Sequence, residues 1–174
     1  LLKTGAGTTE GCFLGVDYES GEKYDGNYAI YPYSYKNEMY DEETVKLYID
    51  YLQPYKKGGF AKEMNPMVAK TADTDDFTLR FRNVCGLVKV SILGNEKITG
   101  ALLSGYDDEP LGGMCRVNVD DMTVTMEADA SSYVYVYDED GIQLDPEVPT
   151  DIWFVVPPTV FENGLYLYLT DMND

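Results

Sequence analysis

The sequence predicts an all-β protein built from antiparallel strands, and three observations carry that prediction. The first is the stretch from Phe77 to Leu93. In it Phe77, Leu79 and Phe81 alternate with Thr78, Arg80 and Arg82, then Val88, Val90 and Ile92 alternate with Lys89, Ser91 and Leu93. That is the period of strands with one dry and one wet face. The second is the absence of any sustained helical period. The third is the regular punctuation by Gly, Asn and Asp, which divides the chain into roughly ten strand-sized pieces, close to the expectation for a β-sandwich.

Taken in order, the first piece is Cys12 to Tyr18, closed by Ser20-Gly21. The second is Asn27 to Tyr33, where Tyr28, Ile30 and Pro32 alternate with Ala29, Tyr31 and Tyr33. Val45, Leu47, Ile49 and Tyr51 alternate with polar neighbours and predict a third strand. Residues 52–66 carry Pro54, Gly58, Gly59 and Pro66, which argue for a long loop with a short extended piece. After the central pair come Ile98 to Leu103, Met114 to Val119, Met122 to Met126, Tyr133 to Tyr137, Ile152 to Val156 and Leu165 to Leu169. Asp140-Gly141 and Asn163-Gly164 read as tight turns, because Gly and Asn accept positive φ. Pro157-Pro158 ends its strand, since neither residue can donate to a ladder. No linker interrupts the series, so a single domain over residues 1–174 is expected.

Composition narrows function. At 44% apolar and 13% aromatic, the chain can bury a core. Its formal charge of -18 repels nucleic acid phosphates and anionic lipid, so neither is an expected partner. Histidine is absent, which removes the residue most used as a general base near neutral pH and rules out a nucleophile–histidine triad. Cys12, Cys85 and Cys115 match no paired metal-ligand spacing and predict no disulfide, with Cys85 a small buried hydrophobe. No run reaches the ~20 apolar residues of a membrane helix. The opening LLKTGAGTTEGC lacks a secretory signal and reads as a mature or trimmed fragment.

Candidate sites are few. In Tyr133–Val134–Tyr135–Val136–Tyr137 the valines are expected to face the core and the tyrosines to face out. In Leu165–Tyr166–Leu167–Tyr168–Leu169 the leucines are expected inside and Tyr166 and Tyr168 outside. Tyrosine suits a half-wet face, because the ring packs while the hydroxyl stays hydrated. Ordinary cross-strand pairing accounts for these five residues; so does a surface that meets a neighbouring domain, a subunit or a glycan.

Acidic residues cluster at Asp73/Asp75/Asp76, Asp107/Asp108/Glu109, Asp120/Asp121 and Asp138/Glu139/Asp140. Each cluster falls where a turn is expected, so these read as solvated loops. Asp138-x-Asp140-Gly141 is only a fragment of a calcium loop. A glycosidase would need two carboxylates across a cleft, which sequence cannot place. No phosphate loop or nucleophile elbow occurs, so no catalytic, cofactor or metal residue is nominated.

Five segments, in order, resemble the fimbrillin family, the surface-lipoprotein-derived pilus and adhesin subunits of Gram-negative anaerobes. Tyr28-Ala29-Ile30-Tyr31-Pro32-Tyr33-Ser34 is similar to the family's YAxYPYS motif. Gly58-Gly59-Phe60-Ala61 with Pro66-Met67-Val68-Ala69 resembles its GxFA and PMVA segments. Phe81-Arg82-Asn83-Val84-Cys85-Gly86-Leu87-Val88-Lys89-Val90 resembles its central strand entry, and Leu111-Gly112-Gly113 its LAG. Phe154-Val155-Val156-Pro157-Pro158-Thr159-Val160-Phe161 with Gly164 resembles its FYIVVPPTxF stretch.

The resemblance implies a transthyretin-like Greek-key β-sandwich, the first of two such domains in tandem. It further implies a non-enzymatic cell-surface subunit or adhesin that needs no cofactor. Its partners would be other subunits or surface ligands, joined by strand donation. Outer-membrane attachment would run through a lipid anchor absent from this chain. The alternative class is a glycan-binding surface lipoprotein module.

Overall fold

The computed structural model describes residues 25–171 and the backbone of Leu2–Thr4 and Cys12–Phe13. It is all-β: sixteen strands and no helix among the described residues. In chain order they are β1 (Leu2–Thr4), β2 (Cys12–Phe13), β3 (Tyr28–Tyr31), β4 (Glu38–Met39), β5 (Thr44–Ile49), β6 (Leu52–Lys56), β7 (Gly59–Phe60) and β8 (Met67–Lys70). There follow β9 (Arg82–Asn83), β10 (Gly86–Ile92), β11 (Lys97–Gly105), β12 (Gly113–Asn118), β13 (Val124–Met126), β14 (Tyr133–Gln143), β15 (Thr150–Val156) and β16 (Leu165–Thr170). Of the first expected strand, Cys12–Phe13 pairs with β1, and residues 14–18 lie outside the described residues.

Two cores are built, and β15 belongs to both. The first lies between the five-stranded sheet β16-β11-β14-β6-β7 and the pair β10-β15. The second lies between β13-β12-β5-β4 and β3-β8-β9. Alternation explains this sharing. Ile152, Phe154 and Val156 enter the first core, while Val155, on the opposite face, enters the second. Alternation also builds β5, where Val45, Leu47 and Ile49 are buried between half-covered Thr44, Lys46 and Tyr48. Directly opposite on β12, Val117 and Cys115 face Val45 and Leu47 across the ladder.

Two buried amides supply hydrogen bonds that no strand provides. Gln53 on β6 donates through Nε2 to the Val155 carbonyl at 2.9 Å, and its Oε1 accepts from the Val155 N–H at 2.9 Å. It thereby satisfies the edge of β15 that β10 does not use. Asn65 does the same for both backbone groups of Cys85, at 3.3 Å each. Buried backbone groups without such partners are costly, which is why polar side chains occur at these two interior positions.

Several expectations are corrected. Residues 77–81 form no strand: Phe77 is 83% exposed, and Asp76 Oδ1 accepts from the Thr78 N–H, bending the entry instead. Only Arg82–Asn83 joins a ladder, on β8. Residues 52–66 hold the hairpin β6-β7, with Pro54 at the last pair of the β6 ladder with β14 and one residue before the β7 pairing begins at Tyr55. The pairing of β6 with β14 is parallel, the exception in an otherwise antiparallel fold. Asp140-Gly141 does not end a strand. The register slips there from Ile98↔Ile142 to Gly100↔Tyr137, so the acidic segment bulges out of one long β14 and Gly141 takes φ 76.

Replacing Gln53 with Leu should strand two buried backbone groups on Val155. At about 1–3 kcal/mol per group, urea unfolding should show a loss of about 3 kcal/mol. A loss below about 1 kcal/mol would contradict this role.

Candidate functional site

The register across β14, β11 and β16 sorts side chains onto two faces. Leu103 pairs with Val134 on one side and Leu167 on the other, and Ala101 pairs with Val136 and Leu169. Directly paired residues share a face, so these rows face the first core. The intervening rows are Tyr133–Ser104–Tyr166, Tyr135–Leu102–Tyr168 and Tyr137–Gly100–Thr170, and they face outward. All five nominated tyrosines, Tyr133, Tyr135, Tyr137, Tyr166 and Tyr168, therefore lie on one outer sheet face.

Their rings form contacts with one another. Tyr135 and Tyr137 stack at 6.1 Å, and Tyr166 lies 5.8 Å from Tyr168. Two tyrosines that the strand patterns do not point to extend the set. Tyr106 stacks on Tyr166 at 5.2 Å, and Tyr51 meets Tyr133 edge to face at 5.5 Å. Gly100 makes room for this layer, since a Cβ there would fall 2.6 Å from the Tyr135 ring. The Tyr135 hydroxyl is tied to Thr170 Oγ1 at 2.9 Å.

The inner face of β16 departs from expectation. Leu165, Leu167 and Leu169 do point to the core side, yet they are 46%, 36% and 41% exposed. The reason is the opposite layer. β15 lies against β14, β6 and β7, and β10 flanks it with Val88, Val90 and Ile92 half-buried on the first core. Among the described residues no strand pairs with the free edge of β10 or covers β16. The described residues thus leave two features open, the unpaired edge of β10 and the half-exposed leucine row of β16, together termed the seam.

A groove of about 470 Å³ adjoins the tyrosine face, lined by Lys36, Tyr48, Tyr51, Gly113, Met114, Asp129, Ser131 and Tyr133. Lys36 Nζ sits 3.9 Å above the Tyr48 ring centre. Burial pushes the Tyr48 hydroxyl pKa up, with Asp50, Tyr51 and Asp129 adding to it. A smaller depression, about 290 Å³, lies over Lys70 and Arg82. There Lys70 bridges Asp25 at 3.1 Å and Asp120 at 3.0 Å, which ties β8 to the loop after β12.

The acidic clusters serve their own turns. Asp73 Oδ1 accepts from the Asp75 and Asp76 N–H groups, Asp121 from Thr123, and Asp138 from Asp140. Backbone N–H groups of Val148 and Glu147 hold the Asp145 pKa below the usual carboxylate range. Among the described residues no three acidic or cysteine side chains converge on a point that could hold a metal. Cys85 and Cys115 are buried free thiols, and burial pushes the Cys115 pKa up to about 12, so it carries no thiolate near neutrality.

Comparison with known families, curated proteins and solved structures found no match in any of the three.

The two leucines paired across β11 and β16 should respond differently to truncation. Leu103→Ala should lower the unfolding free energy by about 3 kcal/mol, and Leu167→Ala by about 1 kcal/mol or less. Equal losses, read by denaturant titration of the monomer, would show that the seam is closed.

Proposed function

We propose that this protein is a non-enzymatic, cell-surface structural subunit of the fimbrillin type, which assembles by accepting a strand from a neighbouring copy. The observation that carries the reading is the seam. On this reading the unpaired β10 edge and the row of exposed leucines are two halves of one vacancy, and a single added strand would satisfy both. Its backbone would complete the ladder on β10 while its side chains covered Leu165, Leu167 and Leu169. Neither half would gain from a soluble small ligand.

Other features support the same reading. The segments that resemble the fimbrillin family fall on β3, β7, β8, β9, β10 and β15 and at the start of β12. Their Val68, Val84 and Val155 lie in the second core, so the resemblance runs through residues that shape the fold. On this reading the strands follow a transthyretin-like Greek-key path and the whole protein holds a second such domain. The precursor reaches the outer surface by a lipid anchor. The chain's acid surface keeps unassembled copies apart, since like charge opposes non-specific association. The absence of histidine fits a role without proton-transfer chemistry.

The test uses the full gene product in the cell that makes it. Surface-extracted protein should run as polymers by size exclusion and appear as filaments by electron microscopy. The double substitution Leu167→Glu and Leu169→Glu should leave folded monomers, because charge on the groove floor opposes burial of a donated strand. Polymers that persist in the double variant, or a parent protein that stays monomeric on the cell surface, would refute the proposal.

A further inference from the structure

The groove beside the tyrosine face has a chemistry that strand exchange does not use. Three tyrosine rings, from Tyr48, Tyr51 and Tyr133, contribute its apolar wall, and Lys36, Asp129 and Ser131 contribute its polar groups. Lys36 and Asp129 balance in charge, so the groove is locally neutral on a chain whose formal charge is -18. Such a site has no net charge of its own to draw an ion, and the acid surface around it repels anions. It suits an uncharged ligand with both apolar faces and many hydroxyls.

We propose that this groove binds a neutral glycan. The CH-bearing face of a sugar ring packs on an aromatic ring, while its hydroxyls meet ammonium, carboxylate and phenol groups. Tyr133 belongs both to the groove and to the outward tyrosine rows, so a sugar held at Tyr51 and Tyr133 has a continuing aromatic track toward Tyr135 and Tyr137. From Tyr133 to Tyr137 that track spans four residue rises of β14, about 13 Å, and it extends across two strand spacings, about 10 Å, to Tyr166 and Tyr168. These dimensions suit an oligosaccharide better than a single sugar.

The loop that carries Lys36 strengthens the assignment. Asn37 braces it, with Nδ2 donating to the Pro32 carbonyl at 2.9 Å and its N–H donating to Ser34 at 3.1 Å. On this braced loop Tyr33 and Tyr35 are 91% and 85% exposed. Two bare rings held on a fixed loop next to Lys36 have no role in packing. They add bare aromatic surface to the loop that brings Lys36 to the groove.

The groove and the seam lie on different faces, so the two ideas separate experimentally. The monomeric Leu167→Glu/Leu169→Glu protein, titrated calorimetrically with neutral oligosaccharides of glucose, mannose, galactose and xylose, should bind at least one. Polygalacturonate, the anionic control, should bind none. Tyr51→Ala and Tyr133→Ala should each weaken binding by about tenfold or more, as loss of an aromatic anchor does, with an unchanged melting temperature. Should either variant fail to fold, Lys36→Ala tests the same groove from the loop and should also weaken binding. Silence across the neutral panel, equal binding of polygalacturonate, or affinity unaltered by these substitutions would overturn the assignment.

Discussion

The faces this fold presents follow from the in-register pairing of β14, β11 and β16. Because paired residues share a face, a strand that alternates aliphatic and tyrosine must send all its aliphatics one way and all its tyrosines the other. Three such strands side by side multiply the effect. Val134, Leu103 and Leu167 make one row toward the core, while Tyr135, Leu102 and Tyr168 make one row toward solvent. A one-residue slip of β16 would exchange its two faces, placing tyrosine hydroxyls against Ala101 and Leu103. The exposed leucines are therefore no accident of a loose edge. They are the core's own pattern continued one strand beyond its cover.

The second organising element is the strand that both cores share. β15 meets β10 along one edge and is covered on both faces, which leaves its other edge to be satisfied inside the protein. Gln53 meets that need with a side-chain amide that reproduces the peptide's donor and acceptor. The arrangement explains why the seam opens where it does. With Gln53, β6 and β7 gathered against one flank of β15, β10 holds the other flank, and among the described residues the sheet ends there. Closure on one side of the sandwich and vacancy on the other are consequences of the same placement.

Most of the architecture is legible in the sequence because alternation is local. β5, β10, β11, β12, β14, β15 and β16 all lie where the period of two indicates, and the face of each tyrosine on β14 and β16 follows from it. The misreadings have a common origin in partners that are distant along the chain. Phe77, Leu79 and Phe81 carry a strand's pattern, but pattern without a neighbouring ladder yields only extended, exposed backbone. Pro54 suggests a loop because the sequence cannot show that the pairing of β6 with β7 starts one residue later, at Tyr55. Asp140-Gly141 has the composition of a turn and the φ of one, yet β11 runs past it and converts it to a bulge. The candidate surfaces divide in the same way. The five nominated tyrosines are readable strand by strand, whereas Tyr51, Tyr106 and Lys36 join them only through tertiary contact. The exposure of the leucines follows from the lack of a covering strand among the described residues, which no local pattern records.

The surface proposed for recognition and the seam proposed for assembly use different residues, the one on the outer face and the other at an edge. The seam is the claim on which the assembly account rests, and backbone hydrogen exchange tests it most directly. In monomers, the β10 amides that point away from β15 should exchange rapidly, while those that bond to β15 are protected. In polymers the same outward amides should become protected, together with slower exchange along β16. Outward β10 amides already protected in the monomer, or unchanged between monomer and polymer, would contradict the account.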